Sequence, residues 1–330
     1  MTDSSLRSAT HPPFSEFEFL VRSAIAGGFA GGLAKTAVAP LDRVKILLQT
    51  QNAEFVRFAG SWRGAVQALQ HISHTQGVRG LFQGHTLTLA RAIPHAAVGY
   101  TVYEKVSVWL MPTPESRTSF RRLAAGAITG ISAMPLTYPF ELIRVRMAVE
   151  TGQSIARPTP WGAIRGIMAE GRSSRGITRV FPFLHFYRGF TVSLLGTVPY
   201  RGGIFLVWET LNAQSRAVLS PATLRANQTR IHLAIGAAAG TVSQVFTYPL
   251  EVIRRTQQAS GKGTPDRMLG IREVVNGVWK ASGWRGFFTG LGIGLFKQVP
   301  TQAISLASWQ AAKKVSISPA NIVSWCNSPI

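Results

Sequence analysis

The chain has 330 residues and a net charge of +21, from 35 basic against 14 acidic residues, yet 46% of it is hydrophobic and only 15% is charged. That bias calls for an anionic partner, but so greasy a chain makes a poor nucleic-acid binder, whose basic residues cluster on one solvated face. Cys326 is the sole cysteine, which excludes an intrachain disulfide and a cysteine zinc site.

Residues 1–17 form a polar N-terminal tail. It lacks the apolar core of a secretory signal, and with Asp3 and Glu16 and few arginines it is a poor transit peptide. A nearly uncharged run of small residues follows, "SAIAGGFAGGLAKTAVA", and leads into "PLDRVKILLQ" at Pro40–Gln49. An amphipathic stretch at Trp62–Thr75 comes next, then Phe82 and Gly84 as an aromatic-x-Gly, then a second apolar run with Pro94 that ends in "VYEKVS".

The whole pattern then recurs. "PFELIR" starts at Pro139 and "PLEVIR" at Pro249, so the prolines stand 99 and 110 residues apart. Each follows a Gly/Ala-rich run, "AAGAITGISAMPLTY" and "AIGAAAGTVSQVFTY". Each precedes an amphipathic stretch (Trp161–Ala169, Ile271–Ala281), an aromatic-x-Gly (Tyr187 to Gly189, Phe288 to Gly290) and a proline-bearing apolar run (Pro199, Pro300). The chain thus divides into repeats at 18–112, 113–220 and 221–316, with a C-terminal tail at 317–330.

The six apolar runs are each roughly 20–30 residues, enough to cross a hydrocarbon core. Small-residue runs with internal prolines are a membrane packing pattern. The expected fold is therefore an all-α membrane protein of six transmembrane helices in three pseudo-symmetric helix–loop–helix repeats. The longest connection, between Glu150 and Arg188, carries Arg157, Arg165, Arg172, Arg175 and Arg179 against one acid, Glu170. It reads as a solvated loop beside anionic lipid.

Of the 14 acids only Asp42, Glu141, Glu251, Glu104 and Glu209 fall within the apolar runs. Acids at membrane depth are costly and mark function. In each proline motif the acid and the base lie three residues apart and share a helix face, and the proline supplies a kink. Nothing points to catalysis. The histidines show no metal-ligand spacing, no glycine-rich phosphate loop follows a strand, and no nucleophile–base pair stands out. No enzyme activity, cofactor or metal is expected.

Three copies of Pro-x-[Asp/Glu]-x-x-[Lys/Arg] at this spacing resemble the mitochondrial carrier family, over roughly residues 20–316. The resemblance implies tilted helices around a central cavity, both termini on the cytosolic side, and alternating access to one site. It makes Pro40, Pro139 and Pro249 hinges. It pairs Asp42 with Arg144, Glu141 with Arg254 and Glu251 with Lys45 as a gate on the matrix side, braced by Gln49 and Gln258; Ala148 leaves the second repeat without a brace. On the cytosolic side it aligns Glu104, Glu209 and Gln310 with Ser107, Asn212 and Lys313, so at most one ion pair forms there. The substrate-free protein is then expected to rest open to the cytosol.

The family's substrate contact points fall at Arg91, at Gly196 and Thr197, and at Lys297. Lys35 and Arg201 align with basic cavity residues of the ADP/ATP carrier. Lys35, Arg91, Arg201 and Lys297 have no acid left over to pair with, which calls for an anionic ligand, and such side chains suit phosphate. Gly196 would admit a planar ring on which Tyr200 could stack.

"GVRGLFQGHTLTLARAIPHAAVGYTVYE", "FYRGFTVSLLGTVPYRG" and "RGFFTGLGIGLFKQVP" further resemble the coenzyme A carriers of this family. Coenzyme A bears about four negative charges, a load that four cations match. Thr197, His95, Arg201 with Gly202 and Gly203, and Gln310 depart from that pattern. The resemblance therefore implies a monomer in the mitochondrial inner membrane that moves coenzyme A or a related nucleotide such as adenosine 3′,5′-diphosphate. Its lipid partner would be cardiolipin and it would have no nucleic-acid partner. An ADP/ATP- or ATP-Mg/phosphate-like carrier, or a peroxisomal carrier, is the alternative.

Overall fold

The computed structural model describes residues 16–113, 116, 118–151, 158–174, 177–260 and 269–316. All regular structure among them is helical. In chain order the helices are α1 (Glu16–Gln49), α2 (Trp62–Gln76), α3 (Val78–Leu81), α4 (His85–Leu110), α5 (Ser119–Val149), α6 (Pro160–Ser173), α7 (Ile177–Val180), α8 (Phe190–Val218), α9 (Pro221–Ala226), α10 (Gln228–Ala259), α11 (Ile271–Ser282) and α12 (Leu291–Ser316). Short 3-10 turns precede α2, α8 and α12.

The long helices are α1, α4, α5, α8, α10 and α12. Every one carries a proline inside it, at 40, 94, 139, 199, 249 and 300, and continues past it. The three amphipathic stretches are α2, α6 and α11. The second runs to Ser173, four residues beyond its expected end. Their starts are capped locally. Ser61 Oγ accepts from the Gly64 N–H at 2.9 Å and Thr159 Oγ1 from the Gly162 N–H at 3.0 Å, while the Gly270 N–H donates to Glu273 Oε2 at 3.0 Å.

The described residues divide into two compact units, those of 16–38 with 297–316 and those of 39–296. The second contains one apolar cluster per repeat, packing α1, α5 and α10 respectively on α2, α6 and α11. Val44, Leu47 and Leu48 meet Ala65, Ala68 and Ile72. Leu142, Ile143 and Met147 meet Ile167. Ile253 and Val192 meet Val274 and Val278. A fourth cluster joins the repeats, where Ile46 of α1, Val145 and Ala148 of α5 and Ala259 of α10 converge. The ends of these three helices are thereby held together by apolar burial at the level of their charged motifs.

The aromatic-x-Gly motifs close the connections. Gly84, Gly189 and Gly290 sit at φ 81°, 74° and 82° immediately before α4, α8 and α12. That left-handed backbone favours glycine. A Cβ on Gly84 would also lie 3.0 Å from the Arg144 carbonyl oxygen, and one on Gly189 would lie 3.2 Å from that of Arg254. Gly84 thus lets α4 start against α5, and Gly189 lets α8 start against α10.

Large apolar side chains point outward from the long helices, among them Ile93, Trp109, Leu206 and Phe246 (82% exposed). An apolar surface of this kind marks a membrane or partner contact. Among the described residues one helical stretch, Pro182–Val218, is long and apolar enough by composition to cross a membrane. The other long helices are diluted by Gly, Ala, Ser and Thr and by the charges of the proline motifs.

Candidate functional site

The proline motifs place their charges two and five residues after each proline, on the faces where α1, α5 and α10 converge. Arg144 Nη2 donates to Asp42 Oδ2 at 2.9 Å, Lys45 Nζ to Glu251 Oε1 at 2.8 Å, and Arg254 Nη2 to Glu141 Oε1. The three pairs link repeat 1 to 2, 2 to 3 and 3 to 1, in the expected register. Lys45 and Glu141 are buried, and the other four side chains are largely shielded.

Gln49 and Gln258 are fully buried beside these pairs, and each donates to a tyrosine. Gln49 Nε2 donates to the Tyr248 hydroxyl at 2.9 Å, and Gln258 Nε2 to the Tyr138 hydroxyl at 3.0 Å. Each hydroxyl in turn donates to a carbonyl just before an even helix, Tyr248 to Thr289 at 3.0 Å and Tyr138 to Arg188 at 2.6 Å. Both tyrosines directly precede the motif proline. At the third junction the equivalent positions are Ala148 and Ala39, so glutamine and tyrosine are lost together.

Arg43 fills that gap. Its side chain is 2% exposed. Its Nε donates to the Ala148 carbonyl at 3.3 Å and its Nη2 to that of Glu150 at 3.2 Å, while Nη1 reaches the Gly80 carbonyl. One guanidinium thus binds two carbonyls at the end of α5 and one in the first connection. Arg43→Ala is expected to destabilise the protein by about 2–3 kcal/mol, because it strands buried acceptors. Arg43→Lys should recover only part of this, since an ammonium cannot reproduce the fork. Thermal unfolding midpoints of the two purified variants check the order.

The substrate-site expectations fare differently. Arg91 does have an acid: its Nη1 donates to Glu141 Oε2 at 2.9 Å. The charge count missed this because it assigned one base to each acid. Lys35 and Lys297 are half-buried in the unit formed by the chain ends and neither is without a partner. Arg201 is exposed on α8, with Tyr200 half-buried beside it. Gly196 is half-buried on α8, and a Cβ there would lie 3.6 Å from that of Leu250, an ordinary contact. Thr197 Oγ1 donates to the Ser193 carbonyl at 2.7 Å and faces Met134 Sδ at 3.7 Å.

At the other end of the long helices Glu104 and Glu209 are exposed, and among the described residues neither forms an ion pair. The side chains of Gln310 and Lys313 lie outside the described residues, as do Arg157 and Arg175 of the long loop. That loop is not uniformly solvated. Arg165, Arg172 and Arg179 are exposed, but Glu170 is bound by Arg146 at 2.6 Å and by Arg188 at 2.8 Å. Arg188 also donates to the Ser260 carbonyl at 2.7 Å and to His185 Nδ1. An imidazole accepting there is neutral, with its proton on Nε2 facing Ser174 Oγ.

Sequence reasoning missed Arg255. It lies next to the motif base Arg254, and its Nη1 donates to both Glu141 Oε1 and Gln258 Oε1 at 2.9 Å. Glu141 therefore holds three arginines.

The family model described as mitochondrial carrier protein matches residues 17–113, 115–216 and 226–319. Mitochondrial carrier protein LEU5 of Saccharomyces cerevisiae is 37% identical over 91% of this chain and 91% of its own. An uncharacterized mitochondrial carrier of Schizosaccharomyces pombe is 38% identical over 93% and 97%. The Arabidopsis thaliana protein named mitochondrial adenine nucleotide transporter ADNT1 is 34% identical over 94% and 91%.

Proposed function

The chain belongs to the mitochondrial carrier family, and we propose that it moves coenzyme A, or a closely related adenine nucleotide such as adenosine 3′,5′-diphosphate, across the mitochondrial inner membrane by alternating access. The observation that carries this reading is the closed cycle of ion pairs, Asp42–Arg144, Glu141–Arg254 and Glu251–Lys45, linking all three repeats. Static packing has no need to gather six shielded charges at one level. A gate does, because the pairs hold in one state and part in the other. The six long helices are the spans; the shortest has 26 residues, more than the ~20 that a hydrocarbon core requires.

With the matrix pairs formed and Glu104 and Glu209 exposed, the resting form is read as open to the cytosol. Substrate need then shift the balance by only a few kcal/mol. The residues proposed to meet the anion are Arg91 and Arg201, with Thr197 and Tyr200, in the unit of residues 39–296, and Lys35 and Lys297 in the other unit. The basic residues make the phosphates of the ligand carry the assignment, and Gly196 and Tyr200 are proposed to meet its base. The relative named an adenine nucleotide transporter supports the nucleotide class, and the coenzyme A carrier motifs narrow it. An ADP/ATP- or ATP-Mg/phosphate-like substrate is the alternative, as is a peroxisomal location.

Anionic lipid, cardiolipin in the inner membrane, is proposed as the structural partner. A cavity of about 370 Å³ opens between the first turns of α2 and α12, lined by Ser61, Trp62, Arg285 and Gly290. Two helix N-termini and an arginine favour a phosphate there.

Uptake by the purified protein in liposomes, with labelled coenzyme A, dephospho-coenzyme A, adenosine 3′,5′-diphosphate, ADP and ATP supplied in turn, tests the substrate. Exchange of coenzyme A or adenosine 3′,5′-diphosphate is expected. Exchange of ADP and ATP alone would move the assignment to the alternative, and no exchange of any of these would end the nucleotide reading.

A further inference from the structure

Glu141 is the point where the candidate substrate site and the ion-pair cycle share a side chain. It is 3% exposed, and its two oxygens take Arg91, Arg254 and Arg255. Three guanidiniums around one carboxylate leave a surplus of two positive charges. The other motif acids are set differently, with Arg144 on Asp42 and Lys45 on Glu251.

The surplus is not demanded by packing. Six residues after the motif proline the first two repeats place Ile46 and Val145, both buried where the three helices converge. The third repeat places Arg255 there and turns it to Glu141. Of the three arginines Arg91 is the most open, with 31% of its side chain exposed against 19% and 16% for Arg254 and Arg255. It also lies on α4, whereas the other two lie on α10 with the third motif.

We infer that Glu141 couples substrate capture to the gate by holding Arg91 in the substrate-free protein and releasing it to the phosphate of the substrate. This rests on the reading that Arg91 meets the ligand. Stripping a buried carboxylate of its partner is costly. Arg255 removes that obstacle, because Glu141 keeps two guanidiniums when Arg91 leaves. Binding and closure then draw on the same guanidinium. Linkage requires the effect to be reciprocal: an anion that takes Arg91 weakens the contact between α4 and α5, and loosening that contact tightens the anion.

The test is equilibrium binding of adenosine 3′,5′-diphosphate and of coenzyme A to the purified full chain and its variants. Glu141→Gln is expected to bind roughly tenfold more tightly, a charged hydrogen bond to Arg91 having been removed from the competition. Asp42→Asn, which loosens the cycle without touching Arg91, should show no such gain, and adding Arg91→Ala to Glu141→Gln should abolish it. Should Glu141→Gln not fold, Glu141→Asp keeps the charge on a shorter stem and should show a smaller gain. Equal tightening in Asp42→Asn would overturn the coupling, as would unchanged or weaker binding in the Glu141 variants while Arg91→Ala still loses affinity. If Arg91→Ala binds as the parent does, the substrate-site reading itself fails.

Discussion

Glu141→Ala is expected to destabilise the protein more than any other single change among the charged motif residues, by about 3–5 kcal/mol, the range for leaving buried charge uncompensated. The cause is the company it keeps. With the carboxylate gone, Arg91, Arg254 and Arg255 face one another in a shielded space with no counter-charge between them. Glu251→Ala is a milder change. It takes the direct partner from Lys45, which still has the ring of Tyr248 at 5.2 Å and a flexible stem that can carry its ammonium toward water, while Arg255 keeps Glu141. Thermal unfolding of the two purified variants separates the cases. Equal midpoints would mean that the gathering of three arginines on Glu141 adds nothing to stability.

Arg91→Ala should produce the opposite balance, with uptake lost and the fold kept. Removing this guanidinium takes one partner from Glu141, but Arg254 and Arg255 remain, so the carboxylate stays compensated. The partly exposed position of Arg91 also means that solvent already weakens the pair, and the stability cost should be about 1 kcal/mol or less. The loss for transport is larger, because a cation at membrane depth that no longer meets the phosphate cannot be replaced from nearby. Uptake of the accepted nucleotide by liposomes should fall at least roughly tenfold, the effect of a single lost charge-assisted hydrogen bond. Lys297→Ala should behave likewise. Normal uptake by both variants would remove the anion-site assignment.

The three cross-repeat pairs could be read from the sequence because repetition encodes them. The same acid and base stand at the same distances from a proline three times, and three equivalent helices have few other ways to satisfy them. The contacts that repetition does not encode were invisible. Arg91 lies on an even helix in repeat 1 and meets an acid of repeat 2, a relation that depends on how the helices cross and not on any spacing. Arg255 looked like a neighbour of the motif base, although Ile46 and Val145 at its equivalent positions were a signal that it breaks the pattern.

The tyrosine partners of Gln49 and Gln258 were legible in principle. "TYP" opens the second and third motifs where the first has "VAP", and the tyrosine is missing beside the same junction that lacks the glutamine. Arg43 could not be placed from sequence, because its acceptors are backbone carbonyls at a helix end, groups that every residue carries.

Charge exchange at Lys45 and Glu251, side chains of similar length held at 2.8 Å, tests whether the charged motifs act as pairs across the repeats. Lys45→Glu and Glu251→Lys should each abolish nucleotide uptake by setting like charges against each other, and the double variant should regain a substantial part of it. A double variant as inactive as either single one would contradict the pairing account.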